Sequence, residues 1–130
     1  MIKIIPFVLI MALVVSVGCS KVSPEAVELK VDFTWEGFNP CGVGSHPEIR
    51  ISEIPDETKY LVVKLTDHGL SHGKQVLSYE GSGIIKKGAL DRIESPCPIG
   101  APGRYKYKIN ALNEDKVIIG TGSKERHYPE

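Results

Sequence analysis

Apolar and polar residues alternate along two long stretches of the chain, and this period of two predicts β-strands. The first stretch covers residues 27–35, where every second residue is Val, Leu, Val, Phe or Trp. The second covers residues 104–112, where Tyr105, Tyr107, Ile109 and Ala111 alternate with Arg104, Lys106, Lys108 and Asn110. A nearly uninterrupted apolar run at residues 60–65 predicts a short strand that is covered on both faces.

The rest of the chain is divided into short segments by turn-forming residues. The sequence contains 13 glycines and 9 prolines, and most of them lie between the predicted strands. Shorter strands are predicted at residues 48–52, 75–79, 84–85 and 117–120, with a polar loop at 66–74, one helical turn at 89–94 and a polar tail at 121–130. Six or seven short strands at close spacing, without an amphipathic helix, predict an all-β sandwich.

Residues 1–18 have the three-part layout of a secretory signal. Lys3 supplies a positive start, an uncharged apolar run extends over residues 4–17, and Gly18-Cys19-Ser20 follows. The run is short for a membrane span. A small residue directly before Cys19 resembles the lipobox of bacterial lipoproteins, although Ser16 stands where such boxes usually carry Leu. We therefore expect lipidation of Cys19, with ordinary signal cleavage or an uncleaved anchor as the alternatives.

Removal of the signal would leave one domain of modest size in the bacterial cell envelope, facing the periplasm or the cell exterior. Residues 19–26 are expected to form the lipidated N-terminus and a polar tether, and residues 27–130 the folded domain. Without Lys3, the chain carries 15 basic and 16 acidic side chains. This balance argues against a nucleic-acid partner and against a cationic tail for anionic lipid, so the acyl chains on Cys19 would supply the membrane link.

The three cysteines agree with export. Lipidation would use Cys19 and leave Cys41 and Cys97, and two cysteines in an oxidising compartment favour a disulfide. The alternative is a pair of buried free thiols.

A stiff loop precedes the second alternating strand. Pro96, Pro98 and Pro102 restrict the backbone around Cys97, so this loop has little conformational freedom to lose. A stiff loop that leads into a long strand is a suitable place for a binding site. A rigid crossover between strands is the alternative interpretation.

Asp67, His68 and His72 are the clearest candidates for chemistry. Two histidines four residues apart share one face of a helix, as in some zinc sites. Here two intervening glycines oppose a helix, and a third ligand would have to come from elsewhere: His46, His127 or a glutamate. We therefore do not expect a metal site.

Nucleophilic and nucleotide-binding motifs are incomplete. Gly81-Ser82-Gly83 lacks the spacing of a nucleophile elbow, so a hydrolase built on Ser71 or Ser82 is not expected. Residues 120–124 lack the spacing of a phosphate-binding P-loop. The chain is accordingly expected to be neither an enzyme nor a cofactor protein.

Anion binding is the remaining interpretation of these polar residues. A histidine, an arginine and loop N–H groups together can hold a phosphate or a carboxylate. His72 and Arg104 fit this role if their two loops meet.

Several motifs resemble the phosphatidylethanolamine-binding protein (PEBP) family, also called Raf-kinase-inhibitor-like proteins. Ser95-Pro96-Cys97-Pro98, Pro102-Gly103-Arg104-Tyr105 and Ile109-Asn110-Ala111-Leu112 are similar to the family's Gly-Pro-Cys-Pro-Pro loop, its Pro-His-Arg-Tyr and its Tyr-Ala-Leu strand. Residues 54–61 resemble Pro-x-x-Thr-Lys-Ser-Leu, and Thr66-Asp67 with His72-Gly73 resembles the end of the Asp-Pro-Asp-x-Pro loop and the following His. Residues 41–47 loosely resemble Cys-x-Gly-x-Asn-x-Ser-Pro, and the resemblance extends over residues 33–122.

The resemblance implies a Greek-key-type β-sandwich with a small pocket for phosphate-like anions. Its site would contain the following residues: Asp67, His68, His72, Pro98, Arg104 and Tyr105. Asp67 would fix the tautomer of His72, and His68 would fill part of the gap left where the family's Pro-His-Arg histidine is Gly103. The chain also lacks the proline and one acid of the family's Asp loop.

These expectations combine into an exported, membrane-tethered PEBP-like binding protein that holds a small anion such as phosphate or a phospholipid headgroup. The alternative is a structural or interaction lipoprotein with a degenerate pocket, which acts through a protein partner.

Overall fold

The computed structural model describes residues 21–42 and 44–130, which form eight β-strands. The strands are β1 (Val22–Glu28), β2 (Lys30–Phe33), β3 (Ile49–Ser52), β4 (Tyr60–Asp67), β5 (Leu70–Ser78), β6 (Ile84–Ile85), β7 (Gly103–Leu112) and β8 (Ile118–Tyr128). The predicted signal at residues 1–18 and the predicted lipidation of Cys19 lie outside the described residues. Within those residues, no helix is long and apolar enough to cross a membrane.

Two sheets form the sandwich. The larger sheet has the strand order β1-β8-β7-β4-β5, and the smaller has the order β2-β3-β6. All neighbours are antiparallel except β1 and β8, which are parallel. The all-β class predicted from the strand spacing is confirmed.

The core lies between the sheets and is built from alternating strand residues. β7 contributes four fully buried side chains on one face: Tyr105, Tyr107, Ile109 and Ala111. β4 adds Leu61, Val63 and Leu65, and the smaller sheet adds Val31, Phe33, Ile49, Ile51 and Ile85. Trp35 lies at the rim, where it packs against a cluster of aromatic rings: Phe33, Phe38, Tyr105 and Tyr128.

The predicted single strand at residues 27–35 is wrong, because the chain changes sheets at Leu29. β1 ends at Glu28 in the larger sheet, and β2 begins at Lys30 in the smaller one. The crossing passes close to β8, where a Cβ on Gly122 would overlap the Leu29 carbonyl. The alternation of apolar residues continues through the crossing, so the pattern does not mark it.

Both ends of the domain differ from the expected boundaries. The predicted tether at residues 19–26 overlaps β1, so the sheet starts at Val22. The predicted polar tail at 121–130 is instead most of β8, which pairs with β7 as far as Tyr128. Its polar residues find partners: the Arg126 Nε donates to the Phe33 carbonyl, and the Trp35 indole N–H donates to the His127 carbonyl at 2.7 Å.

The predicted loop at residues 66–74 is a tight hairpin between β4 and β5. Its two turn residues, His68 and Gly69, both have positive φ, 48° and 81°, as type I′ hairpin turns require. The loop was predicted because the sequence changes from apolar to polar residues after Leu65. Both strands, however, continue into these polar residues.

Two further predictions need correction. In the strand at 60–65 the outward Lys64 is exposed, so the sheet is covered on one face only. Residues 89–94 form turns without a helix; the Gln75 side chain holds this segment by donating to the Ala89 carbonyl at 3.0 Å and accepting from Arg92 N at 2.9 Å.

A disulfide joins Cys41 and Cys97, as predicted, with Cα atoms 4.5 Å apart. It connects the loop after Trp35 to the proline-rich loop before β7. A backbone hydrogen bond from Cys41 N to the Pro96 carbonyl, 3.0 Å, supports the same contact.

Removal of this disulfide should lower the free energy of unfolding by about 4 kcal/mol, because the 56-residue separation leaves a long loop unconstrained in the unfolded chain. Urea unfolding of the C41A/C97A variant against the oxidised wild type measures the loss. The reduced wild type should match the variant, and equal midpoints for all three proteins would contradict the prediction.

Candidate functional site

The predicted site residues gather at one end of the larger sheet, where β4 turns into β5 and β7 begins. Asp67 is the last residue of β4 and lies directly opposite Tyr105 of β7. The His72 and Tyr105 rings meet edge to face, with centroids 6.0 Å apart. The structure therefore brings Asp67, His72 and Tyr105 together.

His72 is the extra residue of a β-bulge. Across β4, Gly73 faces Leu65 and Ser71 faces Thr66, so His72 has no residue opposite it. Bulges of this kind redirect a side chain and are frequent next to functional sites. His72 is half-buried, and its Nδ1 is buried without a hydrogen-bond partner among the described residues.

Tyr105 is the floor of the site. Its side chain is fully buried, and its Oη has no hydrogen-bond partner in the part of the chain that the structure describes. Burial raises the pKa of Tyr105, the negative charge of Asp67 raises it further, and the nearby Cys97 backbone opposes the shift. The hydroxyl therefore stays protonated at neutral pH and is available as a donor.

Asp67 does not fix the tautomer of His72, which corrects the prediction. Its Oδ1 accepts from His68 Nδ1 at 2.8 Å and from the Arg104 backbone N at 2.8 Å. His68 is exposed on the hairpin turn, so it contacts Asp67 from outside and does not line the space between His72 and Tyr105. Asp67 thereby joins the hairpin to the start of β7.

The Arg104 side chain lies on the other face of the sheet from Tyr105, because side chains alternate along β7. Its Nε contacts Glu125 Oε1 at 2.6 Å. The predicted combination of the His72 and Arg104 side chains is therefore not formed, and Arg104 serves the site only through its backbone.

Pro98 lies in the loop that covers this end of the core. The loop is held by the disulfide and by Ser95, whose hydroxyl donates to the Gly42 carbonyl and accepts from Ser45 N at 2.9 Å. The influence of the Cys97 backbone on the Tyr105 pKa places the loop next to the Tyr105 hydroxyl. Pro98 is half-buried there.

Gly103 explains how the site differs from the family motif. A Cβ at this position would overlap the Tyr105 ring and lie 2.6 Å from its Oη. The Tyr105 ring thus occupies the space beside a residue that is histidine in the family motif. The position of the Tyr105 ring therefore requires a residue without a side chain at position 103.

His46 also belongs to this cluster of residues, although the sequence suggested it only as a third metal ligand. It is 3% exposed, and its Nε2 donates to the Ile93 carbonyl at 2.9 Å while its Nδ1 accepts from the Tyr107 hydroxyl at 2.8 Å. The carbonyl cannot donate, so it selects the neutral tautomer with the proton on Nε2. One sequence signal could have identified His46 as a site residue: it lies directly before Pro47, in the segment that resembles a family motif.

The His46 pKa is lowered chiefly by burial; the Ile93 carbonyl opposes this, and a charged His72 lowers it further. The His46 ring packs edge to face against Tyr107 and the His72 ring against Tyr105, so the two imidazoles and the two tyrosines of β7 form one cluster. This cluster lies between the bulge of β5 and the disulfide-bonded loops.

An open groove of about 430 Å³ lies beside the disulfide. It is lined by Cys41, Gly42, Gly44, residues 91–95 and Cys97. Asp67, His72 and Tyr105 are not part of its lining, so this groove is adjacent to the predicted site and distinct from it. Throughout residues 21–42 and 44–130, no group of three His, Cys, Asp or Glu side chains is arranged to hold a metal ion.

Comparison with known proteins supports the fold. No protein-family model matches the sequence, and no curated protein matches it. The structure is similar to the crystal structure of a PEBP homolog from Chlamydia trachomatis, with a TM-score of 0.56 and 21% identity over 82% of this chain and 99% of that chain. The chain has a PEBP-like fold. The sequence resemblance therefore predicted the architecture correctly, from motifs in the proline-rich loop and β7.

Replacing Gly103 with Ala should lower the free energy of unfolding by about 1–3 kcal/mol, as for other overpacked core positions, because the new methyl group meets the Tyr105 ring. The same replacement in a Tyr105→Ala background should cost much less. A double-mutant cycle by urea unfolding measures this coupling; equal costs in the two backgrounds would show that Gly103 and Tyr105 are independent.

The stability of the fold should rise with pH up to about the unfolded-state His46 pKa of 6.5. Because the folded-state pKa is lower, the unfolded chain binds more protons between the two values, and acid therefore favours unfolding. Urea unfolding between pH 5 and pH 8 measures the slope. His46→Gln should remove its own contribution to that slope, and an unchanged slope in this variant would assign it to other groups.

Proposed function

We propose that this chain is an exported, lipid-anchored binding protein of the bacterial cell envelope, whose PEBP-like domain holds a small anion. The observation that carries the proposal is a pair of buried polar atoms, His72 Nδ1 and Tyr105 Oη, on adjoining rings and without hydrogen-bond partners among residues 21–42 and 44–130. Buried polar groups are nearly always hydrogen-bonded. A bound group that accepts from both atoms would satisfy them.

A phosphate-like group suits this pair by its chemistry. The Tyr105 hydroxyl is held protonated, and His72 donates from Nδ1 in one neutral tautomer or when charged. The half-buried His72 gives access from solvent, while the fully buried Tyr105 lies at the bottom. Because His68 and the Arg104 N–H already bind the Asp67 carboxylate, its charge is partly compensated where the anion would sit.

Fold similarity and the N-terminal sequence support the two other parts of the proposal. The PEBP-like fold supports a place among binding proteins, and the resemblance implies phosphate-like ligands. The signal-like residues 1–18 and Cys19 support export and anchoring.

Two observations favour a second function, an interaction lipoprotein with a degenerate pocket. The Tyr105 ring takes space next to Gly103, and the Arg104 side chain is engaged by Glu125 on the opposite face. In this case a water would satisfy His72 and Tyr105, and the surface would bind a protein partner.

Thermal unfolding with phosphate, phosphoethanolamine and sulfate tests the proposal. A ligand that binds only the folded state adds about 2.7 kcal/mol at one hundred times its Kd. His72→Ala and Tyr105→Phe should each remove most of this stabilisation. His127→Ala, which removes an exposed imidazole from the outward face of β8, is the matched control and should leave it unchanged.

Tyr105→Phe also separates binding from folding. Loss of an unsatisfied buried hydroxyl should leave the free energy of unfolding without ligand unchanged or slightly higher, while the response to ligand falls. A wild type that responds to none of the three anions would contradict anion binding and favour the second function.

A further inference from the structure

Lysines form a row across three neighbouring strands on the outward face of the larger sheet. Lys74 of β5 lies directly opposite Lys64 of β4, and Lys64 lies directly opposite Lys108 of β7. Neighbouring strands are about 4.8 Å apart, and like charges directly opposite each other destabilise a sheet. Lys106 lies on the same face, two residues before Lys108. We call Lys64, Lys74, Lys106 and Lys108 the lysine face.

Acidic side chains do little to neutralise this surface. Glu125 lies opposite Lys106, but its carboxylate is engaged by Arg104. Glu28 lies at the β1 edge, opposite Thr121. In residues 21–42 and 44–130, none of the four lysines forms an ion pair. A cavity of about 300 Å³ opens on the same face and is lined by Lys64, Thr66, Gly69, Lys106, Lys108 and Glu125.

The lysine face is bordered by an exposed apolar side chain. Val76 is 60% exposed and lies opposite Val62, one outward position along the strands from the lysine row. Surfaces that rest on bilayers combine cationic and apolar side chains in this way. A linear polyanion would pair with the lysines but would make no favourable apolar contact with Val76.

The proposed anchor would bring a bilayer close to this sheet. β1 is the edge strand of the larger sheet, and Val22 at its start is exposed. Three residues lead from Cys19 to Val22, and three extended residues span at most about 10 Å. Acyl chains on Cys19 would therefore hold the edge of the sheet within that distance of the lipid headgroups.

We propose that the lysine face rests on an anionic lipid bilayer and acts as the second membrane attachment beside Cys19. The inference rests on the proposed lipid anchor for its geometry. A polybasic surface is a recognised second signal beside a lipid chain, and each lysine near an anionic surface strengthens binding about fivefold. The His72–Tyr105 pair lies on the inward side of the same sheet, so this orientation leaves it facing away from the bilayer.

Vesicle co-sedimentation tests the proposal with residues 20–130, which contain every strand and the whole core described above and lack any acyl chain. The protein is mixed at low salt with phosphatidylcholine vesicles that contain or lack phosphatidylglycerol. Binding should require phosphatidylglycerol and weaken with added salt, which screens surface charges. The variant K64Q/K74Q/K108Q should lower the partition coefficient about a hundredfold, from the fivefold effect of each lysine.

K30Q/K86Q/K87Q is the matched control, since it removes the same charge near the smaller sheet: Lys30 is in β2, and Lys86 and Lys87 follow β6. It should keep nearly the wild-type partition coefficient. The proposal would be overturned if the partition coefficient fell equally in the two variants. It would also be overturned if the wild type bound linear polyphosphate but did not bind anionic vesicles.

Two further readouts keep this inference separate from the proposed function. The lysine variant should retain the wild-type thermal shift with phosphate or phosphoethanolamine, because its substitutions lie on the opposite face from His72 and Tyr105. Mass spectrometry of the N-terminal peptide from the producing cell reports acylation of Cys19. If Cys19 is acylated but the domain does not bind anionic vesicles, only the proposed role of the lysine face is overturned. If Cys19 is unmodified but the domain binds anionic vesicles, the lysine face is supported and the proposed anchor is overturned.

Discussion

Burial of one face of β7 is the constraint on which this structure depends. Tyr105, Tyr107, Ile109 and Ala111 are all fully buried, and β7 lies between β4 and β8 inside the larger sheet. Because side chains alternate along a strand, the inward set forces Arg104, Lys106 and Lys108 to face outward. One strand thus supplies the core, the floor of the candidate site and half of the lysine face.

The candidate site is built where this core meets its covering loops. The disulfide and Ser95 hold the loops over the end of β7, and Asp67 joins the start of β7 to the β4–β5 hairpin. His46 and Tyr107 form a hydrogen-bonded buried pair, whereas His72 and Tyr105 next to them each keep one buried polar atom with no partner in the part of the chain that the structure describes. Unsatisfied buried atoms reduce stability, and the proposed anion site rests on this pair.

The lysine row reduces stability on the other side of the same sheet. Three ammonium groups in direct register repel each other, and a fold selected for stability alone would place carboxylates between them. The two destabilising features lie on opposite faces, and neither shares a side chain with the other. A membrane contact through one face is therefore compatible with ligand access at the other.

The local pattern of residues along the sequence was sufficient to predict much of the fold. Alternation within residues 104–112 identified β7, the proline-rich loop and Cys97 identified the covering loop and its disulfide, and the motifs around them indicated a PEBP-like sandwich. Except for the disulfide, these features depend on residues that are close in sequence. The pairing of Cys41 with Cys97 was predictable because only two cysteines follow Cys19.

Tertiary structure decided the features that depend on partners distant in sequence. Glycines of β8 allow the crossing at Leu29, and the register of β5 against β4 creates the bulge that directs His72 toward Tyr105. The same register places Lys74 opposite Lys64, and the register of β7 against β4 places Lys108 opposite Lys64, although the chain as a whole carries no net charge. The sequence by itself determined which residues alternate in each strand. It did not determine strand register, because register depends on how separate strands pack against a shared core.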